Sequence, residues 1–171
     1  MIICPYCDAE NIPGADECVE CNEPLIELSL PHPESVVDAA LLSDRFDTLP
    51  TNLPVSVPPE TSVAKVLQIM VEASIGCVLV VEGDQLVGLF SERDALMKLN
   101  VDAARLGDQP ISQFATPNPT ALEADAKIAF ALHKMDVGGY RHLPVLDHGR
   151  PVSVVSIRDI LAYLTRSIAS A

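Results

Sequence analysis

Two stretches of this chain repeat each other without a gap. Moving residues 54–99 forward by 65 positions places them on residues 119–164. The identical pairs include Pro54/Pro119, Ala64/Ala129, Leu67/Leu132, Met70/Met135, Val80/Val145, Val87/Val152, Ser91/Ser156, Arg93/Arg158, Asp94/Asp159, Leu96/Leu161 and Leu99/Leu164. Such in-register similarity indicates a duplicated structural unit, so the fold must contain the same set of elements twice.

Each repeat shows the predicted order β-α-β-β-α. Apolar residues at helical spacing separate a short first strand from two longer strands, and a last helix follows a serine. In the first repeat the strands are predicted at 55–57, 77–81 and 85–90. One helix is predicted to carry Val63, Val66, Leu67 and Met70 on one face, and another to follow Ser91. In the second repeat the strands are predicted at 120–122, 142–146 and 150–155. Thr61 and Asp125 are the predicted N-caps of the first helix of each repeat, and the last helix of the second repeat is predicted to begin after its cap Ser156.

Four of the five cysteines lie within the first 21 residues. They form two Cys-x-x-Cys pairs, Cys4 with Cys7 and Cys18 with Cys21. Two such pairs can place four thiolates around one tetrahedral metal ion, each pair forming a tight knuckle. Asp8 and Asn22 follow the knuckles, and both residue types tolerate the left-handed backbone that a sharp turn needs. The spacing predicts a small zinc ribbon with these four cysteines as metal ligands.

Two other uses of these cysteines stay open. Iron bound by four thiolates would make the segment a redox or electron-transfer site, although Tyr6 is its one aromatic residue. Disulfides are the other alternative, but nothing in the sequence indicates an oxidising compartment. The fifth cysteine, Cys77, lies in an apolar run and is predicted to be a buried core thiol.

The charge of the chain argues against some partners. Acidic residues outnumber Lys and Arg by 24 to 11, which gives a formal net charge of −13. Nucleic acids and anionic membranes attract basic surfaces, so both are disfavoured. No apolar stretch approaches the ~20 residues that cross a bilayer, and no signal peptide is visible, so a cytoplasmic protein is expected. Neither a nucleophile–base pair nor a phosphate-binding Gly-rich loop is visible, so no enzymatic activity is predicted.

Composition divides the chain into four segments. Residues 1–24 form the predicted ribbon, and residues 25–48 a linker with an adaptor helix that opens at Pro33-Glu34. The two repeats are assigned to residues 49–106 and 107–171.

The end of the first repeat resembles the CBS domain family. Its residues Gly88-Leu89-Phe90-Ser91-Glu92-Arg93-Asp94 match the family pattern Gly-h-h-Ser/Thr-x-x-Asp, in which h is apolar. In the second repeat, Gly139-Tyr140-Arg141-His142-Leu143-Pro144-Val145 is similar to the phrase that leads into the family's second strand. The resemblance implies an α/β fold of the α+β type, with two β-α-β-β-α repeats packed as a pseudo-twofold pair (a Bateman module). It also implies a homodimer, because paired modules of this family often stack.

The resemblance further implies a non-catalytic regulatory module that binds an adenosine-type nucleotide such as AMP, ADP or ATP in the cleft between the repeats. Asp94 and Asp159 can accept hydrogen bonds from two neighbouring ribose hydroxyls, and Ser91 and Ser156 precede them by three residues. Family counterparts of Val55, Val57, Thr120 and Leu122 line the adenine part of the cleft. The candidate phosphate partners are Arg93, Arg141, His142 and Arg158.

Two alternatives to this nucleotide-binding function stay open. The Ser-x-x-Asp pattern is also a common helix cap that needs no ligand, which would leave a dimeric interaction scaffold. The redox protein with iron at the cysteines is the other. If the chain is a nucleotide-binding module or a dimeric scaffold, the ribbon is a candidate contact for a protein partner.

The repeats differ where a ligand would be held. Ser153 stands at the position of Gly88, where a side chain would narrow the backbone approach to a ligand. Arg141-His142 stands at the position of Gly76-Cys77, which lacks that pair of phosphate partners. We therefore expect two equal folds with unequal sites.

Overall fold

The computed structural model describes residues 1–25, 43–46, 49 and 53–169. The predicted adaptor helix at 33–41 lies outside these residues. The chain forms two compact units: the first comprises Met1–Pro50, Ala124–Arg141 and Ser156–Ala171, and the second comprises Thr51–Glu123 and His142–Val155. Among the described residues, no helix is long and apolar enough to cross a membrane.

The elements follow the predicted order in both repeats. The strands are β1 (Ile2–Ile3), β2 (Glu10–Asn11), β3 (Ser56–Val57), β4 (Cys77–Glu82), β5 (Gln85–Ser91), β6 (Thr116–Pro117), β7 (Leu122–Glu123), β8 (His142–Asp147) and β9 (Arg150–Ser156). Within the described residues, the α-helices of the two repeats are α1 (Val63–Glu72), α2 (Glu92–Asp94), α3 (Ile128–Gly138) and α4 (Ile157–Ala169). The mixed α/β fold with two β-α-β-β-α repeats is thereby confirmed.

Three sheets carry these strands. The antiparallel pair β1-β2 lies in the ribbon. The strands of the first repeat form a four-stranded sheet β3-β4-β5-β6 together with β6, which follows that repeat in the chain, and the strands of the second repeat form a three-stranded sheet β7-β8-β9. In both repeats the short first strand runs parallel to its neighbour, with Val57 opposite Val80 and Leu122 opposite Val145. The strand β6 gives the sheet β3-β4-β5-β6 one strand more than the sheet β7-β8-β9.

The core of the second unit packs on both faces of β4, because successive side chains of a strand point to opposite sides. On one face, Val78 and Val80 pack with Phe90 in a cluster that also holds the buried residues Val57, Val63, Val66, Met70, Leu99, Ile111 and Ala115. On the other face, Cys77 and Leu79 pack with Leu89 and the partly buried Val154. Cys77 is therefore the buried core thiol that the sequence predicted, and burial raises its pKa to about 12.

The helix caps differ from the prediction. Ser62, rather than Thr61, caps α1 and accepts a hydrogen bond from the backbone of Lys65. In α3 the N-cap is Lys127, so Asp125 does not cap this helix. The backbone N–H of Ile128 donates instead to the carbonyl of Asp44 at 2.9 Å, which satisfies one of the first amides without a side-chain cap.

The last helices of the two repeats have different shapes. In the second repeat α4 is regular over 13 residues. In the first repeat α2 continues into a π-helix (Ala95–Leu99) and a 3-10 turn (Asn100–Asp102). Asn100 has φ 47° and ψ −132°, and this backbone conformation with positive φ ends the π-helix and turns the chain. The following residues return to α1, where Gly107 and Gln109 accept hydrogen bonds from its first backbone amides.

Candidate functional site

Ser91 and Asp94 form a reciprocal cap at the junction of β5 and α2. The Asp94 Oδ2 atom accepts hydrogen bonds from the Ser91 backbone N–H at 2.9 Å and from its hydroxyl at 2.6 Å. The Ser91 Oγ atom in turn accepts from the Asp94 backbone N–H at 3.3 Å. This is the capping box that Ser-x-x-Asp favours at a helix start. The pair is thus held in one geometry before any ligand arrives.

The second oxygen of Asp94 is also engaged. Its Oδ1 atom lies 2.7 Å from the Lys98 ammonium and accepts from the Thr116 hydroxyl at 3.1 Å. Burial raises the pKa of the carboxyl, but Lys98 and Ser91 outweigh burial and hold this pKa below its usual range. Neither Lys98 nor Thr116 was among the predicted site residues. The spacing of four residues could have indicated Lys98 as a partner of Asp94. Thr116 lies 22 residues from Asp94, on β6, and no local pattern indicates this contact.

The second repeat builds the same cap between β9 and α4. Asp159 Oδ2 accepts from the backbone N–H and from the hydroxyl of Ser156, both at 2.7 Å. At the position of Lys98 this repeat has Tyr163, whose hydroxyl donates to Asp44 Oδ2 at 2.7 Å. The residue four positions after the carboxylate therefore acts differently in the two repeats. Lys98 pairs with Asp94, whereas Tyr163 donates to Asp44.

The candidate adenine-flanking residues divide into two kinds. The side chains of Val57 and Leu122 are buried, at 6% and 2% exposure, and belong to the hydrophobic interior. Val55 and Thr120 are half-buried. Of the four residues, Val55 and Thr120 are therefore the ones whose side chains are partly exposed.

The candidate phosphate partners are mostly exposed. Arg93, Arg141 and Arg158 have exposed side chains, and no ion pair joins any of them to an acid within the described residues. His142 is half-buried, and its ring lies over Gly76: a Cβ added to Gly76 would be 2.6 Å from His142 Nε2. His142 thus packs against Gly76, the residue of the first repeat that corresponds to Arg141.

The four N-terminal cysteines converge on one point. Their sulfur atoms all lie within 4.8 Å of one another, with Cys4 3.7 Å from Cys21 and Cys7 3.6 Å from Cys18. A tetrahedral ion with bonds of about 2.3 Å to sulfur requires sulfur separations of about 3.8 Å. Asp8 and Asn22 have φ 62° and 57°, which confirms the left-handed turns predicted after the two knuckles. The residues fit a tetrahedral metal ion, and a tetrahedral set of four sulfurs suits zinc or iron.

Ionisation of the free thiols is uneven. Burial raises the pKa of Cys7 to about 11 and also raises that of Cys21. Burial opposes ionisation of Cys18 as well, but hydrogen bonds from the backbone of Cys21 and Glu20 outweigh it, with help from Asn11, and lower its pKa to about 6. A thiol must lose its proton to bind a metal, and Cys18 is the one of these three cysteines whose pKa the fold lowers.

The cysteine cluster is packed against α3 rather than standing free. Tyr6 and Leu25 join Cys4 and Cys18 in a buried cluster, and Phe130 packs against it. The Tyr6 ring centroid is 6.4 Å from that of Phe130 and 5.3 Å from that of His133. The ribbon therefore shares its small hydrophobic core with the second repeat's first helix.

Charged residues reinforce this packing. Glu23, whose side chain is 5% exposed, contacts His133 and lies 2.8 Å from the Lys134 ammonium. Asp8 pairs with Arg45 at 2.8 Å and with Lys127, which also donates to the Pro5 carbonyl at 3.1 Å. Two of the ribbon's six acids are thus used within the chain. Sequence reasoning missed these contacts because the partners lie more than 20 residues apart.

The CBS domain model matches residues 47–100 and 111–166. Among curated proteins, the Arabidopsis thaliana CBS domain-containing protein CBSCBSPB1 is 31% identical over 115 residues, covering 67% of this chain and 21% of that protein. The Bacillus subtilis CBS domain-containing protein YhcV is 26% identical over 124 residues, covering 70% of this chain and 84% of that protein. The chain thus spans about a fifth of the length of the Arabidopsis relatives that it matches.

Solved structures show the same fold. A CBS domain protein from Pyrobaculum aerophilum complexed with AMP has a TM-score of 0.64 and 27% identity, covering 75% of this chain and all of that chain. A CBS domain protein from Agrobacterium tumefaciens has a TM-score of 0.61 and 25% identity, covering 69% of this chain and 93% of that chain.

Proposed function

Since this chain belongs to the CBS domain family, we propose that it is a non-catalytic regulatory module that binds an adenosine-type nucleotide. The observation that carries the proposal is the recurrence of one preorganised Ser–Asp pair at the same strand-to-helix junction in both repeats. The Pyrobaculum relative complexed with AMP supports the ligand class.

The chemistry of the residues fits such a ligand. A carboxylate can accept hydrogen bonds from both hydroxyls of a ribose, and Asp159 is the candidate for this role in the second repeat. Arg141 and Arg158 are exposed cations on a chain of net charge −13. The guanidinium group of each is a candidate to bind a phosphate group of the ligand. Ser156 holds Asp159 through its hydroxyl and its backbone N–H, which limits the rearrangement that binding would need.

Calorimetry with AMP, ADP, ATP and NAD tests the nucleotide function. We expect heat of binding from wild type and its loss in Asp94→Ala combined with Asp159→Ala. Asp94→Asn with Asp159→Asn is a second pair that keeps the shape of the caps, and Asp102→Asn, at an exposed ion pair with Arg105, is the control. Flat heat signals from wild type with all four nucleotides at millimolar concentration would contradict the proposal.

We also propose that Cys4, Cys7, Cys18 and Cys21 hold one structural zinc ion. The separations of their sulfur atoms support a tetrahedral site, and a segment this short has little core of its own without a metal. We expect native mass spectrometry to show one zinc ion per chain. We also expect the purified protein to be colourless. A red protein carrying iron would instead support the redox alternative.

Two kinds of association complete the proposal. Exposed apolar side chains on the last helices of both repeats, Leu96, Met97, Leu161 and Ile168, support a homodimer through the CBS repeats. On the ribbon, Ile3, Ile12 and Val19 are 53–75% exposed and are candidates for contact with a protein partner. Native mass spectrometry reports the oligomeric state, and a monomer at micromolar concentration would contradict the dimer.

A further inference from the structure

One buried amide side chain joins the two Cys-x-x-Cys knuckles of the ribbon. Asn11 lies on β2 and is only 5% exposed, although its side chain is polar. Its Nδ2 atom donates to the Ala9 carbonyl at 2.9 Å and to the Cys18 sulfur at 3.6 Å. Its Oδ1 atom accepts from the Val19 backbone N–H at 2.9 Å. The amide thus contacts the chain just after the first knuckle and two residues of the second knuckle.

These partners fix which way the Asn11 amide faces. A side-chain amide has an NH2 group that donates and an oxygen that accepts, and both groups of Asn11 are engaged. The reversed amide would set its oxygen against the Ala9 carbonyl and its NH2 group against the Val19 N–H, so two attractive contacts would become repulsive. The NH2 group therefore faces the Cys18 sulfur.

We propose that Asn11 is a positioning residue of the metal site, which donates a hydrogen bond to the Cys18 thiolate and holds the two knuckles in register. The inference rests on the proposed zinc site and adds a residue, outside the four ligands, that sets the strength of metal binding. Asn11 acts through Cys18 and is not itself a ligand.

The surroundings of Cys18 explain why this ligand needs such a donor. Cys18 is 1% exposed, so water does not solvate the charge of its thiolate, and N–H donors of the protein must do so. The backbone of Glu20 and of Cys21 supplies two of these hydrogen bonds, and Asn11 adds one from the other side of the ribbon. Hydrogen bonds to a ligand orient it and tune its bond to the metal.

Titration of the metal-free full chain with cobalt(II), followed by competition with zinc(II), tests the proposal. Cobalt bound by thiolates absorbs light through transfer of electrons from sulfur to the metal, so the energy of this band reports the electron density on the sulfurs. We expect Asn11→Leu to bind both metals about 10–100-fold more weakly than wild type. Its band at saturating cobalt should lie at lower energy, because the Cys18 sulfur loses a donor that draws electron density from it.

Two further variants separate donation to sulfur from support of the backbone. Asn11→Asp keeps an oxygen that accepts from Val19 but places a carboxylate where the NH2 group meets Cys18, and we expect it to weaken metal binding as well. Ile12→Ala is the control, because Ile12 is the next residue and is 75% exposed. Its metal affinity and its cobalt band should match those of wild type.

The outcomes distinguish this inference from the zinc proposal. Weaker binding with an unmoved band in Asn11→Leu, or wild-type affinity in either Asn11 variant, overturns the donation to Cys18 and leaves the zinc site intact. If neither Asn11 variant forms the band at saturating cobalt while Ile12→Ala does, Asn11 acts only through folding of the ribbon, and the positioning role is overturned too. A wild-type chain that binds neither cobalt nor zinc overturns the zinc site and this inference together.

Discussion

At the level of single residues, Gly76 leaves the space that the His142 ring occupies. A Cβ at this position would lie 2.6 Å from His142 Nε2 and 2.8 Å from Cε1, closer than real Cβ contacts come. Gly76 thus has a packing role, because a side chain at this position would meet the His142 ring. The histidine's position depends on the absence of a side chain in the other repeat.

Gly76→Ala is therefore expected to lower stability by about 1–3 kcal/mol, because the His142 ring must move. Gly107→Ala is the matched control: its Cβ would meet nothing closer than 3.5 Å, and Gly107 does not have a positive φ. Thermal or urea unfolding of both variants measures the difference. Equal midpoints for the two variants would contradict this account of Gly76.

Asp94 makes stability depend on pH in a defined direction. Its folded-state pKa lies below the ordinary value because Lys98 and Ser91 stabilise the charged form against the effect of burial. Near pH 4 the folded state therefore binds fewer protons than the unfolded state, so stability rises with pH. The contribution is fully present above the unfolded pKa of about 4 and is lost as pH falls through the lower folded value.

Asp94→Asn should consequently be less stable than wild type at pH 6, by about 0.5–2 kcal/mol for a weakened cap. The difference should shrink as pH falls below 4 towards the lowered folded-state pKa, where wild type also loses the charge. Urea unfolding from pH 3 to 7 measures it, with Asp102→Asn as the control at an exposed ion pair. A difference that stays constant across this range would show that the charge of Asp94 does not contribute.

At the level of elements, the chain from Ala115 into β6 packs closely against Gly88 of β5. A Cβ at Gly88 would lie 3.3 Å from Ala115 Cβ and 3.4 Å from the Thr116 carbonyl, and Gly88 faces Pro117 in the sheet. Ser153 occupies the equivalent place in β9, where the described strands include no such neighbour. The close approach that Gly88 permits is thus to β6, whereas the sequence had suggested an approach to a ligand.

The contact between the ribbon and α3 depends on Glu23. Its carboxylate lies against His133 and Lys134 and is almost fully buried, so Glu23→Ala removes a charged partner from both. We expect a loss of about 1–3 kcal/mol and faster hydrogen exchange of ribbon amides. Glu20→Ala is the matched control, because Glu20 is an exposed acid of the same ribbon. Unchanged exchange in Glu23→Ala would mean that the aromatic contacts suffice.

At the level of the whole molecule, the cysteine cluster and the helices α3 and α4 of the second repeat belong to one compact unit. The cluster of Cys4, Cys18, Tyr6 and Leu25 that covers Phe130 depends on the knuckles keeping their shape. Loss of the proposed zinc should therefore affect α3 and not the ribbon alone.

Chelation of the metal is expected to lower the unfolding midpoint and to increase hydrogen exchange in residues 127–138 as well as 1–25. Metal binding supplies much of the folding free energy of small four-ligand domains, so a midpoint shift of several degrees is expected. Residues 77–91 of the second unit serve as the internal control. If exchange increased only in residues 1–25, the ribbon would be independent of α3.

The sequence alone determined the duplication, the order β-α-β-β-α in both repeats, the metal-type cysteine spacing and the left-handed turns at Asp8 and Asn22. These features follow from local periodicity, residue conformation and short spacing, all of which are encoded within a few residues. The Ser–Asp caps belong to this group, because their atoms are three residues apart.

Only the tertiary structure decided how the repeated Ser–Asp pairs differ. Thr116 meets Asp94 across 22 residues, His142 fills the space above Gly76, and Tyr163 turns to Asp44 across 119 residues. The docking of the cysteine ribbon on α3 likewise joins Lys127 to Asp8. Such contacts depend on how the chain returns after each element, and no pattern of neighbouring residues encodes that path. The gapless repeat thus predicts two like folds, while long-range packing makes their sites unlike.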